Sequence, residues 1–280
     1  MKRLKFLLTV LLSALFTIFI VTACAPSDTP SGGEDAATTE PASGSTTLVM
    51  ATSADYPPYE FYETASGEGE PIGFDIDIAK YITDELGYAL EIQDMDFNGI
   101  IPALQGGRVD FAMAGMTPTE ERKESVDFSQ IYYDAKNTIV APAGSGYESY
   151  GDLAGKTVGV QLGSIQEGEA KEQAETVEEM VVEPRNRVSE LIQELKAGRL
   201  DAAIVEDTVA KGYVQNNPDL EFVTLDTEGA SGSAIAFPKD SELASEFDQV
   251  LTQMKESGKL DELVTKWFED YYEQQGTSAE

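Results

Sequence analysis

The chain has 280 residues, with 19 lysines and arginines against 51 aspartates and glutamates, a formal net charge of −32, no histidine and one cysteine. So acidic a chain is a poor partner for nucleic acid or an anionic lipid surface, because its own field repels phosphate. Without histidine and with a single thiol it lacks the residues for a zinc or copper centre, a Ser-His-Asp triad or an internal disulfide. A carboxylate-only calcium site is still open to it, but no loop carries the Asp/Asn/Gly spacing such a site needs, so neither metal nor cofactor is expected.

At the N-terminus Lys2, Arg3 and Lys5 precede an apolar run from Phe6 to Val21, interrupted only by Thr9, Ser13 and Thr17. That is the layout of a secretory signal; a spanning helix is the alternative, the run being near the shortest that crosses a bilayer. Val21, Thr22, Ala23 and Cys24 favour the signal. Small residues ending in the only cysteine resemble a lipobox, whose cysteine is diacylated and becomes the mature N-terminus. Lipidation also accounts for an otherwise unpaired thiol in an exported protein. The expected layout is a signal at 1–23, then lipidated Cys24 and a tether to 46, the lipid being the only membrane link. The tether is Ser-, Thr-, Gly-, Pro- and Ala-rich, and too poor in large apolar residues to offset the entropy of ordering.

From Thr47 to about Phe268 short apolar strands alternate with amphipathic stretches, which predicts an α/β fold with helix-covered sheets. The pattern gives strands at Thr47–Ala51, Ala89–Gln93 and Val109–Ala114, with helices at Asp75–Leu86 and Asn98–Gly106. After Asn137–Pro142 it restarts: strands at Thr157–Gln161, Val177–Val182 and Asp201–Val205, helices at Gln166–Glu175 and Val188–Ala197. A strand at Gly232–Pro238 and helices ending near Phe268 follow. Two similar halves imply two lobes, and small-molecule sites favour domain interfaces and strand ends.

Several segments resemble the polar amino-acid binding proteins of ATP-driven importers, the group of the glutamine- and lysine/arginine/ornithine-binding proteins (bacterial extracellular solute-binding proteins, family 3). They are DYPPYEF at 55–61, IGFDIDIA at 72–79, MDFNGIIPAL at 95–104, AGMTPTEERK at 114–123, VDFS at 126–129, TVGVQLGS at 157–164, GRLDAA at 198–203 and KWF at 266–268. The resemblance implies a two-lobed periplasmic-binding-protein-like fold (type II). A first lobe would comprise 47–139 and the return segment 232–275, and a second lobe 140–231. Hinge crossings are placed at Asn137–Pro142 and Glu228–Ala234, and the ligand cleft lies between the lobes.

An amino acid presents a carboxylate, an ammonium and a side chain, so its pocket needs a fixed cation, a fixed anion and a shape filter. Arg122, whose planar fork can hold a carboxylate through two parallel hydrogen bonds, aligns with the family's carboxylate-binding arginine. Gly115 and Thr117 share its turn, Gly115 offering its carbonyl to the ammonium and Thr117 a hydroxyl to the carboxylate. Tyr56 and Phe97 match the aromatic pair that sandwiches the ligand. Gly163, Ser164, Ile165 and Gln166 lie between strand and helix, where free N–H groups favour an anion; Ile165 replaces a threonine common in the basic-residue binders. Glu206 stands where the family usually has an ammonium-binding aspartate. It is one methylene longer, which makes Asp207 a rival. Ser53 replaces an aspartate of the glutamine and basic-residue binders, a departure that argues against those specificities.

The resulting expectation is a monomeric binder that captures a polar L-amino acid by lobe closure and delivers it to a membrane permease with its ATPase subunit. Two rivals share the cleft: a prephenate/arogenate dehydratase-like enzyme using a cleft carboxylate, and a sensing module read by a separate receptor.

Overall fold

A computed structural model describes residues 45–63, 69–226 and 232–272. The signal, Cys24, most of the tether and part of the second expected crossing lie outside these residues. The first half comprises β1 (Thr47–Thr52), β2 (Asp55–Tyr56), β3 (Glu60–Phe61), α1 (Phe74–Leu86), β4 (Ala89–Asp94), α2 (Ile100–Gln105), β5 (Phe111–Ala112), α3 (Glu120–Ser125), β6 (Val126–Phe128) and β7 (Tyr133–Asp134). The second comprises β8 (Asn137–Pro142), β9 (Thr157–Gln161), α4 (Ile165–Ala174), β10 (Val181–Arg185), α5 (Val188–Lys196), β11 (Ala202–Glu206), α6 (Asp207–Gln215) and β12 (Leu220–Thr224). The chain then returns through β13 (Gly232–Ser233), β14 (Ala236–Pro238), α7 (Leu243–Ser257) and α8 (Lys259–Val264).

Two five-stranded sheets carry the two lobes, in the orders β4-β1-β5-β14-β6 and β10-β9-β11-β8-β12. In each, three parallel strands form one side: β4, β1 and β5 in the first, β10, β9 and β11 in the second. Helices cover both, so the central strands read as unbroken apolar runs; β11 is buried from Ala202 to Glu206. Helix α1 turns Phe74, Ile78, Ala79 and Ile82 into the core and ends at Gly87, whose left-handed φ of 76° closes the last turn.

Segment Asn137–Pro142 is not a crossing strand. It pairs along its length with β11 and β12 inside the second sheet. The crossing comes earlier, where Tyr133 and Asp134 pair antiparallel with Ser233 and Gly232. The run Gly232–Pro238 is accordingly divided, since β13 belongs to the crossing and β14 to the first sheet. The strand expected at Val177–Val182 begins at Val181, because Glu179 adopts a left-handed φ of 55° and breaks the extended chain before it. Pro184 fits there because β10 is an edge strand. Helix Asn98–Gly106 forms as a 3-10 turn at Phe97–Gly99 running into α2.

Gly73 fixes how α1 meets β3. At φ 138°, an added β carbon would lie 2.1 Å from the Tyr59 carbonyl oxygen, while Asp75 N–H donates to that same oxygen at 2.9 Å. Gly73→Ala should therefore cost more than about 2 kcal/mol in chemical denaturation, through backbone strain and lost packing. An unchanged midpoint would show that the Tyr59 segment moves freely.

Candidate functional site

The carboxyl ends of the parallel strands in both sheets face one another, and a cavity lies between them. Its walls come from Tyr56 after β1, Phe97 after β4, and Ala114, Gly115 and Thr117 after β5. Arg122 on α3, Gln161, Ser164, Ile165 and Gln166 around the β9–α4 turn, Glu206 at the end of β11, and Ala135, Asn137 and Ser233 complete the ring.

Arg122 enters the cavity without a carboxylate partner: Nη1 donates to the Thr117 carbonyl at 2.8 Å and Nη2 to the Gly163 carbonyl at 2.9 Å. Its guanidinium carbon lies 5.3 Å from the Phe97 ring centroid. No described ion pair includes it, and burial pulls its pKa down to about 10, which leaves it a desolvated cation at neutral pH. The Thr119 hydroxyl, accepting from Arg122 N at 3.2 Å, caps α3 and fixes the turn that carries it.

Glu206 is the opposite case. It is 5% exposed, and Oε1 accepts from Tyr59 Oη at 2.5 Å and from the Thr208 hydroxyl. Burial pushes its carboxyl up to about 8, against the pull of those two donors. Asp207 faces elsewhere, its carboxylate accepting from the N–H groups of Lys136 and Thr208. Thus Glu206, not Asp207, reaches the cavity.

Gly115, at φ 55°, lies under the Tyr56 ring; a β carbon would meet that ring at 2.9 Å. Its N–H is held by Asp75 Oδ2 at 3.0 Å, which leaves its carbonyl as the polar group it can offer. Asp75 also accepts from Tyr132 Oη at 2.8 Å and is pushed up to about 6 by burial. Beside it, Glu60 is fully buried, and no donor reaches either of its oxygens. Burial, then the Asp75 charge, pushes its pKa well above the usual carboxylate range.

All the expected site residues except Gly163 line this cavity. Gly163 closes the turn instead: its carbonyl accepts from Arg122 and its N–H donates to Glu167 Oε2 at 2.6 Å. Ser164 caps α4, accepting from Glu167 N at 3.1 Å. Ser53 is 1% exposed and is not among the lining residues, so the missing acid there does not alter the walls. Sequence reading missed Ala114, Ala135, Asn137 and Ser233 as lining residues, and Gln161 lines the cavity with them. Asn137, Ala135 and Ser233 sit at or beside the crossing segments, which sequence reading took as hinge and not as wall.

Two α/β lobes joined by paired crossing strands, with one unpaired guanidinium and one buried carboxyl facing a cavity between them, make this a two-lobed periplasmic-binding-protein-like solute binder. The chain belongs to the bacterial extracellular solute-binding proteins, family 3, which it matches over residues 48–270. It is 49% identical over 261 residues to the arginine-binding extracellular protein ArtP of Bacillus subtilis (strain 168), covering 92% of this chain and 96% of that one. An ancestral arginine-binding protein bound to arginine matches with a TM-score of 0.74 at 43% identity, covering 79% and 98% of the two chains. An ancestral arginine-binding protein bound to glutamine matches with a TM-score of 0.72 at 43% identity, covering 79% and 97%. Membership of this family makes the chain an extracytoplasmic binding protein and not an enzyme.

Glu206 makes the site pH-sensitive. Its folded pKa of about 8 exceeds the ordinary 4.5, so between those values the folded chain holds a proton that the unfolded chain has lost. Its contribution to stability therefore falls as pH rises through that window. Without added amino acid, Glu206→Gln should melt above the parent at pH 8, with the difference shrinking toward pH 5. Parallel pH profiles for the two proteins would show that Glu206 is solvated and ionised throughout.

Proposed function

We propose that the chain captures L-arginine by closing its two lobes and delivers it, as a monomer, to a membrane permease with its ATPase subunit. The observation that carries this reading is the placement of Arg122 and Glu206. One desolvated cation from the first lobe and one buried carboxyl from the second face the same cavity, as the carboxylate and ammonium of a free amino acid require. Tyr56, Phe97, Gly115, Thr117, Ser164, Ile165 and Gln166 complete the proposed contacts.

The walls support arginine over glutamine. Gln166 Nε2 donates one hydrogen to Asn137 Oδ1 at 2.8 Å and Gln161 Nε2 one to the Asn186 carbonyl at 3.5 Å, which orients both amides and leaves both amide oxygens able to accept. A guanidinium is all donors, whereas an amide side chain brings an acceptor as well. The Tyr56 and Phe97 faces suit a planar cation. The proteins named for arginine among the similar chains fit the same reading.

Thermal melting and calorimetry against the twenty L-amino acids test it. L-arginine at about a hundred times its dissociation constant should add about 2.7 kcal/mol of stability, and L-glutamine should bind more weakly. Arg122→Ala should cost about 3 kcal/mol or more of affinity, because it strands the ligand carboxylate. A stronger response to glutamine, or unchanged affinity in Arg122→Ala, would overturn the assignment.

We further propose that Cys24 carries the lipid that holds the chain at the outer face of the cell membrane, on a tether reaching to about residue 46. Cys24→Ser should leave amino-acid affinity intact and release the protein into the medium. Retention at the membrane would show that the apolar run at 6–21 persists as the anchor.

A further inference from the structure

Outside the cavity one group of contacts between the lobes converges on Arg187, in the turn between β10 and α5 of the second lobe; a second joins α6 to the C-terminal helices, through Lys211 to the Phe268 carbonyl and Gln215 to the Tyr272 carbonyl. Its Nε donates to Asp96 Oδ1 at 2.9 Å, its Nη1 to Asp94 Oδ1 at 2.8 Å, and Nη1 lies 3.8 Å from Asp55 Oδ1. All three carboxylates belong to the first lobe. They cluster there because β1 and β4 are neighbours in parallel register, Thr52 beside Asp94. Two further contacts from the second lobe reach the same place: Ser189 N–H donates to Asp55 Oδ2 at 2.8 Å, and Tyr213 Oη to the Asp55 carbonyl at 2.6 Å.

These carboxylates sit at informative positions. Asp55 immediately precedes Tyr56, and Asp96 immediately precedes Phe97, the two aromatic walls of the cavity. On its own lobe Arg187 follows Asn186, whose carbonyl holds the Gln161 side chain. Arg187 itself does not line the cavity. Three first-lobe acids close together repel one another when no cation stands among them, and that repulsion is relieved when the second lobe brings Arg187 in. Arg187, Asp55 and Asp94 are partly shielded, with side-chain exposures of 22%, 12% and 26%, so salt screens these contacts less than a surface pair, while Asp96 at 44% is exposed.

We propose that Arg187 is a closure latch, a positioning residue that sets how long the lobes stay shut and draws the Tyr56 and Phe97 segments to the second lobe without touching the ligand. The proposal rests on the reading of the chain as a binder that closes. A latch of this kind changes affinity through the population of the closed form, since apparent affinity scales with the competent fraction.

Arg187→Ala should bind L-arginine about tenfold more weakly or worse, with the loss in the dissociation rate rather than the association rate. Arg187→Lys should recover part of it. In an Asp94→Asn, Asp96→Asn background the further change to Arg187→Ala should have little effect, the non-additivity expected of groups acting together. Without added amino acid, the melting temperature should fall by less than the loss in affinity accounts for. Unchanged affinity, an equal loss in the double-Asn background, or a matching fall in melting temperature would each overturn the latch, the last by showing a role in folding alone. If the parent chain binds no amino acid, the functional reading fails first. Small-angle scattering of the parent and Arg187→Ala then tests the latch directly: a more expanded variant supports it, and identical profiles overturn it.

Discussion

One guanidinium and one buried carboxyl, facing a single cavity from different lobes and not paired with each other, constrain the rest of this molecule. Arg122 is desolvated with only backbone carbonyls as partners, and Glu206 is desolvated with only hydroxyl donors. Burial displaces their pKa values in opposite directions, to about 10 and about 8, each toward its neutral form. Taking an ion out of water costs several kcal/mol unless a partner offsets it. A zwitterion laid between the two offsets both costs at once, with its carboxylate on the guanidinium and its ammonium on the carboxyl. Neither charge can serve the other directly without filling the space the ligand needs.

The scaffold around these charges is correspondingly polar for a buried region. Tyr59 is fully buried, yet it carries its hydroxyl across the lobe boundary to Glu206. The backbone of Tyr59 is in turn pinned by the start of α1, where only a glycine fits at position 73. Behind Gly115 the Asp75 carboxylate holds the N–H that fixes this turn, and Glu60 is buried beside it with its pKa pushed well above the usual carboxylate range. These groups lower the stability of the fold that contains them. A core of the same shape filled with leucine would be more stable and would bind nothing.

Much of this was legible in the sequence, because the fold and the site rest on local signals. The strands Thr47–Ala51 and Thr157–Gln161 announced themselves by their apolar runs, and α1 by its periodicity and terminal glycine. The aromatic, glycine and arginine positions were recognisable from family motifs that keep their spacing. What could not be read was whatever depends on chain reversal in three dimensions. Asn137–Pro142 looks like any buried strand, and nothing local says whether it bridges two sheets or completes one. Taken as hinge, Asn137 and the neighbouring Ala135 were not read as walls. Gly163 was chosen for its position at a strand end, but a carbonyl that faces Arg122 and an N–H that faces Glu167 are properties of the folded turn. Arg187 gave no signal at all, since its three partners lie more than ninety residues away in sequence.

Recognition and closure are thereby handled by separate sets of charges. On the proposed assignment the Arg122 and Glu206 pair answers to groups that every amino acid carries, so it would supply affinity without much selectivity. Selectivity must come from the walls the side chain meets: two aromatic faces, and two glutamines whose nitrogens are tied back to Asn137 and Asn186. Because those ties run within the second lobe while Tyr56 and Phe97 belong to the first, the side-chain pocket exists only when the lobes meet. The carboxylates that Arg187 grips adjoin those same aromatics, so the energy of meeting is placed where the pocket is assembled. A ligand that fits poorly between the aromatics would hold Asp55 and Asp96 away from Arg187 and lose closure energy as well as contact energy. Discrimination is then amplified by the latch, although the latch itself touches no ligand atom.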